Sequence, residues 1–166
     1  MLINSLVQPR LDYACNLWFR PLGKVRQHKL QVCQNKSIRY ILDVNNRFHL
    51  CYKQFEDLKY LNVIKRVNYL TLCQTYNIIN NKCPEYLKDM FKSKDHKYNT
   101  RQQEYQVELL RVRCYGKFSF RYNGAQLWNK LPKETKNCQS KHMFKIKCKK
   151  ALFNDMKAEE NDIYVY

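Results

Sequence analysis

The chain has 166 residues, enough for one domain with at most a small appendage and long enough to bury a real core. Its 31 Lys and Arg against 14 Asp and Glu give a formal charge of +17, a self-repulsion that opposes compactness unless a polyanion is near. Three Gly and four Pro exclude low complexity, and no apolar run is long enough for a signal peptide or a membrane span. The expectation is therefore an intracellular protein, nuclear or cytoplasmic, that is neither secreted nor inserted in a membrane.

In chain order, residues 1–19 read as helical, with Leu2, Leu6, Leu11 and Leu17 near helical spacing and Pro9 setting a first turn or a kink. Pro21 and Gly23 close that segment. Residues 24–42 form the clearest amphipathic helix: Leu30, Cys33, Ile38 and Ile41 share one face, and Arg26, Lys29, Lys36 and Arg39 fall opposite. After a polar break at 43–47, a short helix is expected over 49–58 and a hinge at 59–61. Asn62 is placed to cap a helix over 63–80. That helix carries two adjacent apolar stripes, one through Val63, Val67, Leu70 and Cys73 and one through Tyr69, Leu72, Tyr76 and Ile79. So wide a face suits an element contacted from two sides.

Pro84 opens a further short helix over 84–91, and 92–106 reads as an exposed connection. Val107, Leu109 and Val112 suggest a short extended piece. Residues 111–132 then mix cations with rings, of which Phe118, Phe120 and Trp128, with Leu127, are expected to be core. A turn or short helix at 132–137, a final helix over 141–153 and a loose acidic tail over 154–166 complete the chain. The fold class is mainly α: an antiparallel cluster of helices over 1–92, an exposed linker over 93–110, and a small aromatic-cored, mostly helical C-terminal module over 111–153.

The residues for catalysis are not gathered in sequence. The eight Cys form no C-x-x-C pair and read as reduced, mostly buried small hydrophobes. Cys138, His142 and Cys148 lack the closely paired ligands that a zinc site needs. No Asp-Asp pair and no Gly-rich phosphate loop is present, so two-metal phosphoryl transfer has no ligands here. On its own residues the chain reads as non-enzymatic, with no cofactor and no metal. What remains is charge. From 111 to 150 there are twelve Lys or Arg and one acid, Glu134. Cations of this density neutralise phosphates and release counterions, and neighbouring rings can stack exposed bases. The candidate contacts are Arg26, Lys29, Lys36 and Arg39 on the first amphipathic helix, and Arg111, Arg113, Lys117, Arg121, Lys141 and Lys145 beyond it.

A series of short motifs adds to this. Arg111-Val-Arg, Tyr115-Gly-Lys, Ser119-Phe and Gly124-x-x-Leu-Trp-Asn-x-Leu-Pro132, followed by Phe144 and Leu152-Phe153, resemble the C-terminal end of LINE-type, jockey-like non-LTR retrotransposon reverse transcriptases. Tyr98-Asn-Thr-Arg101, Arg10-Leu-Asp-Tyr-Ala-Cys15 with Trp18, Leu30-Gln31, Gln34-Asn35, Arg39, Leu58-Lys-Tyr-Leu61, Arg66, Tyr69, Tyr76 and Pro84-Glu-Tyr-Leu87 fit the same order. The family often has Trp-Leu-Pro where Tyr60-Leu61-Asn62 stands. The resemblance spans roughly 3–153 and implies a post-palm segment: a thumb-like helical bundle over 1–92 and a C-terminal region. It implies binding to RNA or an RNA–DNA duplex, and a palm domain as natural packing partner. The Mg2+ of the parent polymerase belongs to that palm, whose catalytic motif is absent from this sequence. Leu2, Leu6 and Leu11 are the expected bare, palm-facing surface, with self-association as a consequence. Two readings stay open beside it: an independent basic RNA-binding protein, and a helical module that meets an acidic protein.

Overall fold

A computed structural model of the chain describes residues 3–92 and 106–163, and over them the protein is mainly α-helical. The elements are a π-helical turn at Ile3–Val7, α1 (Gln8–Asp12), α2 (Cys15–Trp18), α3 (Lys24–Leu42), α4 (Tyr52–Asp57), α5 (Val63–Ile79), 3-10 turns at Glu85–Met90 and Cys114–Phe118, α6 (Phe120–Lys130), α7 (Lys133–Lys136) and α8 (Lys141–Ile163). Most of the expected linker, and Tyr98-Asn-Thr-Arg101 with it, lies outside the described residues.

The chain divides into two compact units, residues 1–67 with 150–166, and residues 68–149. The sequence division at 92, 110 and 153 follows chain order, whereas the units join distant segments. Lys65 Nζ reaches Glu159 at 2.6 Å across 94 residues, and the Tyr76 hydroxyl donates to the Cys138 carbonyl at 2.7 Å across 62. The first of these contacts falls in the stretch expected to be a loose acidic tail, which is part of α8, helical to Ile163.

Only three Gly are available, and none has positive φ. Helix ends that usually recruit a left-handed Gly are built here on other residues. Asp43 (φ 52°), Lys59 (φ 57°) and Asn81 (φ 54°) each take that conformation just after α3, α4 and α5. The following amides then reach back to the last turn: Val44 to the Arg39 carbonyl at 3.1 Å, Tyr60 to Phe55 at 2.9 Å and Lys82 to Asn77 at 2.7 Å.

In the first unit, polar side chains set the register. Gln34, buried on α3, donates its side-chain amide to the Leu61 carbonyl at 2.8 Å. The Gln31 carbonyl accepts the Val63 amide at 2.8 Å, and Asn62 accepts the Lys65 amide at 2.8 Å as the N-cap of α5. This lock corrects the expected apolar face of α3: Gln34 is buried, while Cys33 is exposed. The helix expected over 1–19 is also broken. Tyr13 leaves the helical region, Ala14 turns left-handed at φ 48°, and the Trp18 indole N–H caps the freed Tyr13 carbonyl at 2.7 Å. Just before the break Arg66 forks on Asp12, at 3.1 and 2.7 Å, and just after it Cys15 and Phe19 are buried.

The second unit is organised on rings. Tyr76 and Phe144, both fully buried, stack at 4.3 Å, and Trp128 stacks on Phe144 at 5.9 Å. Such pairs add about 0.5–1.5 kcal/mol each beyond the area they bury. Phe91 meets Phe120 edge-on at 5.7 Å. Close approach of α6 depends on Gly124, where a Cβ would stand 2.7 Å from Thr75 Oγ1 and 2.8 Å from Phe91 Cζ. Asn129 of α6 behaves as a strand partner, accepting the Val107 amide and donating to the Val107 carbonyl, both at 2.9 Å. Along α8 the buried residues recur at steps of four, Phe144 and Cys148 in this unit and Leu152 and Met156 in the first, on a helix otherwise studded with Lys.

Candidate nucleic-acid interface

The cations fall into two groups by what they do. Lys65 and Arg66 are consumed by the fold: the first is buried and held by Glu159, the second forks on Asp12. Lys136 donates to the Asn129 carbonyl at the end of α6 at 3.3 Å, and burial, then the neighbouring Lys133, lowers its pKa. Lys147 donates to the Glu134 carbonyl at 3.2 Å. Arg39, also expected to contact phosphate, donates Nε–H to the Phe48 carbonyl at 2.9 Å near the end of α3.

The rest of the expected set stays at the surface. Arg26, Lys29 and Lys36 are exposed on α3, and Arg111, Arg113, Lys117, Lys141 and Lys145 are exposed in the second unit, with Arg121 half-buried. Among the described residues no carboxylate pairs with any of these nine. The α3 group belongs to one compact unit and the other six to the second. On α3 the cations are interleaved with apolar groups, since Val25 (71% exposed) and Tyr40 (84%) lie open to solvent.

Around the Cys114–Phe118 turn, sequence reading needs a correction. Phe118, expected in the core, is 41% exposed, and Tyr115 is 87% exposed. The core position goes to Trp128, with Phe120 half-buried against Phe91. Ring identity alone did not separate these. The signal that separates them is Ser119, whose side chain accepts the Tyr122 amide as the N-cap of α6, so that the helix starts at Phe120, two residues after Phe118.

A groove of about 550 Å³ opens in the first unit, lined by Lys24, His28, Gln31, Tyr52, Phe55 and Met156 among others. Its size suits a small ligand, but two of its lining amides, Gln27 and Gln31, are already committed. Gln27 donates to the Leu22 carbonyl at 2.8 Å, and Gln31 spends both ends on Gln34, Asn35 and Val63. Cys51 lies 3.6 Å from His49 at the start of α4, where its amide N–H donates to Gln54 Oε1 at 2.8 Å.

All eight cysteines are free thiols. Cys138 and Cys148 are buried while His142 is exposed, and no three His, Cys, Asp or Glu among the described residues gather as metal ligands. Burial, with the Asp12 carboxylate adding to it, pushes the Cys15 thiol up to about 11, and burial raises Cys148 further. No described helix is long and apolar enough to cross a membrane. Comparison with family models, curated proteins and solved structures finds no match to this chain.

Proposed function

We propose that the chain is a non-catalytic, thumb-like C-terminal segment of a non-LTR retrotransposon reverse transcriptase that binds template–primer nucleic acid through its unpaired cations. The observation that carries the binding is that Lys65 and Arg66 are paired within the fold, while nine other cations have no carboxylate partner among the described residues, eight of them exposed and Arg121 half-buried. Phosphate is the abundant counter-charge for such a set, and the logarithm of the affinity then falls linearly with the logarithm of the salt concentration. The ancestry rests on the ordered motifs. Several of their residues also act as fasteners here: Asp12 with Arg66, Gln34 with Leu61, and Tyr76 with Phe144. Leu6 and Leu17 are exposed, which supports a missing palm or a second copy as packing partner; Leu11 is half-buried, and Leu2 lies outside the described residues.

The test is a salt titration of binding to a short RNA–DNA hybrid. Changing Lys29 and Lys36 together to Gln is expected to reduce the slope of log affinity against log salt by about 2. An unchanged slope returns α3 to a plain solvated face, and a flat response in the unmodified chain sinks nucleic-acid binding altogether. Ancestry is tested separately by sequencing the locus that encodes the chain. A palm coding region with adjacent aspartates on the 5′ side in the same orientation is expected, and its absence would refute the ancestry. A second reading, a helical module for an acidic protein, is favoured by Val25 and Tyr40 beside Lys29 and Lys36 on α3. It predicts binding to an acidic polypeptide that outlasts salt better than binding to the hybrid.

A further inference from the structure

We infer that the Cys114–Phe118 turn is a stacking platform for unpaired bases, so that this end of the second unit takes single-stranded nucleic acid. The inference rests on the nucleic-acid reading above and deepens it by naming the form of the ligand. Tyr115 is 87% exposed and Phe118 is 41% exposed. In a 3-10 turn, residues three apart eclipse one another, which sets these two rings on one side about 6 Å apart along the axis. Arg111, Arg113 and Lys117 are exposed around them, and no carboxylate occurs between Glu108 and Glu134. Rings flanked by cations hold bases by stacking and the backbone by charge, whereas a duplex hides its base faces.

The turn is also braced before any ligand arrives. Cys114 is held at φ 31°, a left-handed conformation unusual for a residue with a side chain. Gly116 sits so close to Val112 that a Cβ would stand 2.7 Å from the Val112 Cβ. The buried Asn123 amide donates to the Lys117 carbonyl at 2.8 Å and to the Ser119 carbonyl at 2.9 Å, and Ser119 Oγ donates to the Gly116 carbonyl at 2.8 Å. A surface tyrosine held on so fixed a turn gives up little further freedom on binding.

The experiment compares the full chain with its Tyr115→Ala and Tyr115→Phe variants by fluorescence anisotropy. The probes are labelled oligo-U, oligo-dT, an abasic strand of equal length and a duplex of the same length. Tyr115→Ala is expected to weaken oligo-U or oligo-dT about tenfold, to leave duplex and abasic binding unchanged, and to be rescued by Phe, which keeps the ring. Circular dichroism and the melting temperature confirm that each variant is folded. Preference for oligo-U over oligo-dT would assign the site to RNA, and parity to either strand. Equal losses on single strand and duplex, or no loss on either, overturn the platform while leaving the cationic reading standing. No binding by the unmodified chain to any probe overturns both. Binding to poly-glutamate that drops with Tyr115→Ala overturns the inference in favour of an acidic protein.

Discussion

At the scale of the residue, the buried thiols carry a pH dependence. Cys15 has its pKa raised from an ordinary value near 9 to about 11, chiefly because burial disfavours the thiolate. Below the ordinary value both folded and unfolded forms hold the proton, and the site contributes its full stability. Between about 9 and 11 the unfolded chain releases the proton and the folded one does not, so stability falls as pH rises. Cys148 and Tyr76, also raised by burial, act in the same direction. The melting temperature is therefore expected to fall between pH 8 and pH 10, and replacing Cys15 by Ala should shrink that fall. An equal fall in the variant would remove Cys15 from the cause.

At the scale of the element, the helices whose signals are local were legible and those fixed from a distance were not. The bounds of α3 and the start of α5 follow from periodicity, Gly23 and the Asn62 cap, all within a few residues. The break between α1 and α2 lies beside the contact of Asp12 with Arg66, 54 residues away, and the extension of α8 to Ile163 accompanies a Glu159–Lys65 contact across 94. No pattern in either segment announces those partners. The cationic set was legible as composition, but not its sorting: Arg39 is indistinguishable from Lys36 until the Phe48 carbonyl is seen beside it. Asn129 illustrates an intermediate case, a polar residue inside a recognisable motif whose task appears only with Val107 opposite. Asn129→Ala removes both of its hydrogen bonds to the Val107 backbone. The Val107 amide is then expected to exchange with deuterium at least tenfold faster, about 1.4 kcal/mol of lost protection, while amides in α5 keep their rates. Uniform acceleration would mean that α6 itself had loosened.

At the scale of the molecule, charge sets behaviour. A net +17 repels itself, whereas the internal pairs Asp12–Arg66 and Lys65–Glu159 attract, and salt weakens both. Raising ionic strength from roughly 10 mM to roughly 150 mM shortens the screening length from about 30 to about 8 Å. The long-range repulsion loses more than pairs in contact do, so the melting temperature is expected to rise by a few degrees. A fall in calorimetry would show that the pairs dominate. Gly124 bears on a different matter. Packed against Thr75 and Phe91 with no room for a methyl group, it is a position where chance substitution damages the fold. The proposed origin implies many copies in a genome, and unselected copies change at every codon alike. Retention of Gly124 across such copies, beside free change at exposed codons such as that of Gln126 on the same helix, would record selection for a folded product.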